Sequence, residues 1–476
     1  SLKVDLMTHI WRKKWLKSKQ IIEKCPDMVR MPLNDSGDTA LHLAAREGSL
    51  ETVNELVNRM RLEDMIIKDS YGETALHEAA RKGSLEIVKE LVNRMRPEDM
   101  LIPNSSGDTA LHLALRYSRL EIVNELVKRM RPEDMLIPNS SGDTALHLAI
   151  IHLGRLEIVN ELVKRMRPED MLIPNSSGDT ALHLAIIHLG SLEIVNELVK
   201  RMRPEDMLIS NSSGDTALHL AIIHLGSLEI VNELVKRMRP EDMLISNSSG
   251  DTALHLAIIH LGSLEIVNEL VKRMRPEDML IPNSSGDTAL HLALRYSRLE
   301  IVNELVKRMR PEDMLIPNSS GDTALHLAII HFGSLEIVNE LVKRMRPEDM
   351  LIPNSSGDTA LHLALRYSRL EIVNELVKRM RPEDMLIPNS SGDTALHLAI
   401  IHFGSLEIVN ELVKRMRPED MLIPNSSGDT ALHLALRYSR LEIVNELVKR
   451  MRPEDMLIQN SYGHTALHLA IRLDRF

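Results

Sequence analysis

Thirteen histidines stand at matching places in this chain, from His42, His77 and His112 to His468. Each belongs to the octet G-D-T-A-L-H-L-A, first at 37–44 and repeated letter for letter ten more times. Near copies, G-E-T-A-L-H-E-A and G-H-T-A-L-H-L-A, occupy 72–79 and 463–470. Imidazoles in such a row could bind zinc or act as general bases. Zinc needs three or four ligands converging within about 2.0–2.3 Å of one ion. One His per octet, with no Cys or second His at ligand spacing, does not supply that set. A general base needs a nucleophile and an orienting acid in reach, and the octet offers only the same Thr and Asp each time. No catalytic residue, metal or cofactor is expected, and the histidines are read as structural.

What positions them is a period. The glycines that open the octets lie at 37, 72, 107, 142, 178, 214, 250, 286, 321, 357, 392, 428 and 463, spaced by 35 or 36 residues. A period of that length means stacked supersecondary units, none able to bury its apolar face alone. In 107–141, Thr109 is a good N-cap for a helix through Ala110–Leu115. His112 then falls at the third helical position, where a capping box places a side chain that reaches back. Leu120, Ile122, Val123, Leu126 and Val127 make one face of a second helix, which Arg131-Pro132 should end. Pro132-Glu133-Asp134 predicts a short turn of its own, and Pro138-Asn139-Ser140-Ser141-Gly142 is turn chemistry leading to the next unit. The fold class is all-α, with helix-turn-helix units joined by hairpin-like turns. Met130 and Met135 are read as packing between units, and the K-R-M-R-P-E-D clusters as a solvated face.

Composition narrows the function. A net charge of −10 and 2% aromatic residues argue against nucleic acid, which needs a basic face and stacking platforms. The single cysteine, Cys25, excludes an internal disulfide framework and suits a reducing compartment. No apolar run approaches the ~20 residues of a membrane span. A cytoplasmic monomer is expected.

The stretch T-A-L-H-L-A-A-R-E-G-S-L-E-T-V at 39–53 resembles the ankyrin repeat, and the resemblance covers about 31–476. Ala stands where that family has proline after Thr, and the units exceed its usual length by two or three residues. The run E-L-V-x-R-M-x-x-E-D-M-x-I is similar to plant ankyrin proteins, many of which carry a membrane module that this sequence lacks. Residues 1–30, with about +5 charge, are expected to form a degenerate capping unit from helices near 7–11 and 18–24, a membrane-surface or anionic-partner helix being the alternative. Twelve repeats follow at 31–462, and 463–476 is read as a truncated half-repeat whose natural product continues past Phe476. The resemblance implies a solenoid that ties its turns with the Thr–His pair. It further implies a non-catalytic scaffold for protein or peptide partners, or the cytoplasmic arm of a membrane-tethered plant protein.

Where near-identical units differ, the end of the first helix changes. L-R-Y-S-R occurs at 115–119 and three later places, whereas I-I-H-L-G or I-I-H-F-G, one residue longer, occurs six times from 150–154 onward. The longer form keeps a glycine past the helix end; the shorter puts Ser there, at about 1 kcal/mol if the residue is left-handed. The resemblance places these residues on the concave binding surface. The candidates are Arg116 and Tyr117, and the triplets Ile151, His152, Leu153; Ile187, His188, Leu189; Ile223, His224, Leu225; and Ile259, His260, Leu261. Such a stripe is either a partner groove or packing forced by the inserted residue.

Overall fold

Each octet starts a helix for the reason its letters give. Thr109 is extended (φ −84°, ψ 174°) and the helix Ala110–Arg116 follows. The His112 ring turns back to the helix start, where Nδ1 accepts the Thr109 amide at 2.8 Å and lies 3.0 Å from Thr109 Oγ1. The second helix, Leu120–Arg129, buries Ile122, Val123, Leu126 and Val127, and leaves Leu120 half exposed at its start. It stops before Met130, and Pro132–Leu136 forms the expected turn as one stretch of 3-10 helix. Met130 and Met135 are buried, as packing residues should be.

The computed structural model describes residues 1–189, 191–225 and 227–473, and the side chains of Leu189, Leu225 and Leu261 fall outside that description. The described residues hold 27 α-helices, short 3-10 and π turns, and no β-strand. Two compact halves, Ser1–Asp242 and Met243–Phe476, are built from the same repeats. No described helix is long and apolar enough to cross a membrane.

The charged cluster departs from a wholly solvated reading. Arg131 and Glu133 are exposed, but Asp134 is buried. Its Oδ2 accepts the Arg131 amide at 2.9 Å, and the Arg131 guanidinium closes over it at 3.1 Å. An acid at the third position of a short helix satisfies an amide that the helix cannot, so this carboxylate belongs to the scaffold.

Turns link successive repeats through an asparagine. Asn139 Oδ1 accepts the Ser141 and Asp143 amides at 3.0 and 2.9 Å. Its Nδ2 donates to Asp108 Oδ1 of the preceding repeat at 3.0 Å, and the Ser140 amide reaches Ser106 O at 3.0 Å. Gly142 sits at φ 76° with its missing Cβ against the Ser176 backbone of the next turn, so no other residue fits.

At the N-terminal end, helices Leu2–Trp11 and Trp15–Lys24 are longer than expected and bury Leu6, Ile10, Trp15 and Ile22, while Trp11 is exposed. At the other end, Ala466–Leu473 buries Ala466 and Leu469 and exposes Leu467 and Ile471.

Candidate interaction face

The two kinds of repeat end their first helix differently. In the L-R-Y-S-R repeats the helix closes on Ser118, Ser297, Ser368 and Ser439, all left-handed at φ 56–58°. The glycine substitute therefore adopts the disfavoured geometry that its place in the sequence demands. In the longer repeats the added residue is absorbed as a π turn, Ala149–Leu153, closed by the Gly154 amide on Ala149 O at 3.0 Å with Gly154 at φ 57°. Widening one turn takes up the insertion and leaves the octet before it and the helix after it in register.

That π turn sorts the apolar stripe. Ile150, Ile186, Ile222 and Ile258 are buried. The next residues, Ile151, Ile187, Ile223 and Ile259, are half-buried, and His152, His188, His224 and His260 are exposed. Leu153 is half-buried, whereas the Leu189, Leu225 and Leu261 side chains lie outside the described residues. The face is thus an exposed imidazole beside a half-covered isoleucine in each such repeat, with the preceding isoleucine given to the core.

Arg116 and Tyr117 divide in the same way. Arg116 is half-buried and bidentate to the buried Asp108 of its own repeat, at 2.5 and 3.2 Å. Arg295–Asp287, Arg366–Asp358 and Arg437–Asp429 repeat this pair. Tyr117 keeps 45% of its surface exposed, its ring 5.9 Å from the Arg81 guanidinium carbon. Arg119 donates to Arg81 O of the preceding repeat at 3.1 Å, and a Cβ at Gly83 would overlap it. Arg298, Arg369 and Arg440 cover Gly262, Gly333 and Gly404 likewise, so each L-R-Y-S-R repeat follows one that ends in glycine.

The longer repeats have no arginine at that place. Asp143, Asp179, Asp251, Asp322 and Asp393 each take an Asn Nδ2 at 2.9–3.1 Å but make no ion pair among the described residues. Charge therefore differs between the two kinds of repeat, neutral where Arg meets Asp and negative where Ile replaces Arg. His152, His331 and His402 follow L-R-Y-S-R repeats and sit below the ordinary imidazole range, first from burial and then from the neighbouring Arg116, Arg295 and Arg366. Sequence reasoning missed this neighbourhood, although the arginine 36 residues before each such His carried the signal.

Twelve of the thirteen octet histidines, His42 to His433, are buried, and His468 in the last repeat is exposed. His326 Nδ1 accepts the Thr323 amide at 2.9 Å, which leaves the ring proton on Nε2 to donate to Asp358 O of the next repeat at 3.1 Å. His42 and His147 make the same link to Glu73 O and Asp179 O, at 2.8 and 3.2 Å. Burial holds His77, His112, His147, His183, His255, His291, His326, His362 and His397 below the ordinary value, against the opposing pull of backbone carbonyls and nearby carboxylates. With both nitrogens bonded within the protein, these rings are structural ties.

No curated protein matches this sequence. The family model described as ankyrin repeats (3 copies) matches in overlapping segments from 18–100 to 404–476, together spanning nearly the whole chain. The stacked helix pairs, the Thr–His tie and that match agree: the chain belongs to the ankyrin-repeat family.

Proposed function

We propose that this protein is a non-catalytic interaction scaffold, a cytoplasmic monomer that binds protein or peptide partners on the face made by the ends of the first helices. Ankyrin repeats are generally protein-interaction modules. The observation that carries the reading is a division of labour within each repeat. The octet Thr and His and the Arg–Asp pairs are bonded internally, while Tyr117 and the His152 series stay exposed at regular steps. Rigid helix ends bind with little ordering of the receptor, which preserves affinity. The carboxylates without arginine favour partner segments that pair apolar side chains with basic ones. A second reading, the arm of a membrane-tethered plant protein, rests on the E-L-V-x-R-M-x-x-E-D-M-x-I run.

Site-specific photo-crosslinking tests the proposal. A crosslinking residue at Tyr117 or His188 should capture the same partner from cell extract, and one at the exposed Glu133 should not. Equal capture from Glu133 would reject this face as the binding surface.

A further inference from the structure

The second repeat departs from the others at two places that meet in space. Asp69 stands where the other turns carry Asn, such as Asn34, Asn104 and Asn139, and Glu78 stands where other octets carry Leu. In the regular turn the Asn Oδ1 accepts two amides while Nδ2 donates to the preceding repeat's Asp. Asp69 keeps the first half of that pattern, since its Oδ1 accepts the Tyr71 and Glu73 amides at 2.8 and 2.9 Å. It has nothing to donate with the second half. Its Oδ2 is buried with no hydrogen-bond partner, in a residue only 8% exposed.

Oδ2 takes the place of the Nδ2 that reaches the preceding repeat's Asp in the regular turn, and that Asp is here Asp38, one of a group of carboxylates. Asp38, Asp69 and Glu78, of which Asp38 and Glu78 are 1% and 4% exposed, each bring an oxygen within 4.8 Å of the others. Oxygens on opposite sides of one Ca²⁺, at 2.3–2.6 Å from it, lie about 4.6–5.2 Å apart, so the cluster has the size of a calcium shell. The donors are all carboxylate, the hard set that takes calcium or magnesium rather than zinc or copper. Arg46 binds Asp38 at 2.9 and 3.0 Å and Glu78 at 2.6 Å, and Arg81 binds Glu73 at 2.8 Å. Four carboxylates against two guanidiniums leave a formal charge of −2, which one divalent ion neutralises. Asp38, Glu73 and Glu78, with Arg46 and Arg81, border a solvent-open cavity of about 520 Å³, which gives an ion a route in and room for water ligands.

We propose that Asp38, Asp69 and Glu78 form a divalent cation site, of a size that suits calcium, that ties the turn of the first repeat to the second. The bound ion takes the place of the hydrogen-bond donor that the neutral Asn Nδ2 supplies elsewhere, so the same inter-repeat link is made by metal instead of amide.

The full chain, stripped with chelator, is titrated with CaCl₂ in a calorimeter. One saturable site per chain, with a dissociation constant below about 1 mM, is expected. Asp69→Asn restores the residue of the other turns, so the variant should fold without calcium and melt at or above the stripped wild type, yet bind calcium at least tenfold more weakly. Glu78→Leu, the residue of the other octets, gives an independent second variant with the same expected loss of binding. Absence of saturable binding up to about 5 mM overturns the site. So does binding that both substitutions leave unaltered, as charge spread over the acidic surface would give.

Discussion

Replacing His326 by Ala measures what one internal tie is worth. Both ring nitrogens are held across 3.1 Å or less, Nδ1 accepting the Thr323 amide beside Thr323 Oγ1 and Nε2 donating to Asp358 O. Thr323 is buried, so its amide loses its only partner that the side chain supplied, at about 1–3 kcal/mol for an unsatisfied buried donor. Asp358 O keeps the Asn354 amide at 2.9 Å, so the second loss is nearer the ~1 kcal/mol of an ordinary hydrogen bond. Together these predict a destabilisation of about 3 kcal/mol. His326→Gln should recover roughly half, because Gln at the third position can accept the Thr323 amide but leaves the bond to the next repeat unmade. Long arrays unfold in parts, so urea titration is paired with amide exchange of residues 324–330. A loss below about 1 kcal/mol for the Ala variant, or a Gln variant as damaged as Ala, refutes the reasoning. Stoichiometric zinc binding that the Ala variant abolishes would refute the structural reading altogether.

The nine buried histidines held below the ordinary value predict acid sensitivity. The unfolded chain takes up their protons first as pH falls through about 6.5, so stability is full above that value and declines below it; urea midpoints that stay level from pH 7 to about 5 would contradict this. Ser368→Gly should stabilise by about 0.5–1 kcal/mol, since φ 56° is free for glycine and disfavoured for serine, and an unchanged or lower urea midpoint would count against it. Amides of 466–473 should exchange far faster than those of 395–401, because Leu467 is 68% exposed whereas Leu396 is buried; equal protection would show a well-supported last helix.

Much of this was legible in the letters. The 35–36 residue spacing, the Thr cap and the apolar face of the second helix follow from local rules, and Thr109, Ile122 and Val127 behave as those rules require. The left-handed Ser118 was also legible, because it replaces a glycine in an otherwise copied unit. The π turn was not: an extra letter between Leu148 and Gly154 shows that something must give, but not whether helix, cap or loop absorbs it. The ion pair of Arg116 was not legible, because its partner Asp108 lies eight residues back, before the helix begins, where no helix-face spacing pairs them. Asp134 was hidden similarly inside a charged run whose neighbours are exposed. Asp69 differs from its counterparts by one atom type, and only its orphaned oxygen in the fold gives that difference meaning.

The central claim is that the exposed residues at the first-helix ends bind partners while the buried ties only hold the repeats. It is tested most directly by substituting His152, His188 and His224 by Glu together, then measuring partner affinity and thermal unfolding on the same protein. These side chains are exposed, so the melting curve should stay within about 1–2 °C of the wild type, while affinity for the crosslinked partner falls at least tenfold. Unchanged affinity with an unchanged melting curve would contradict the account.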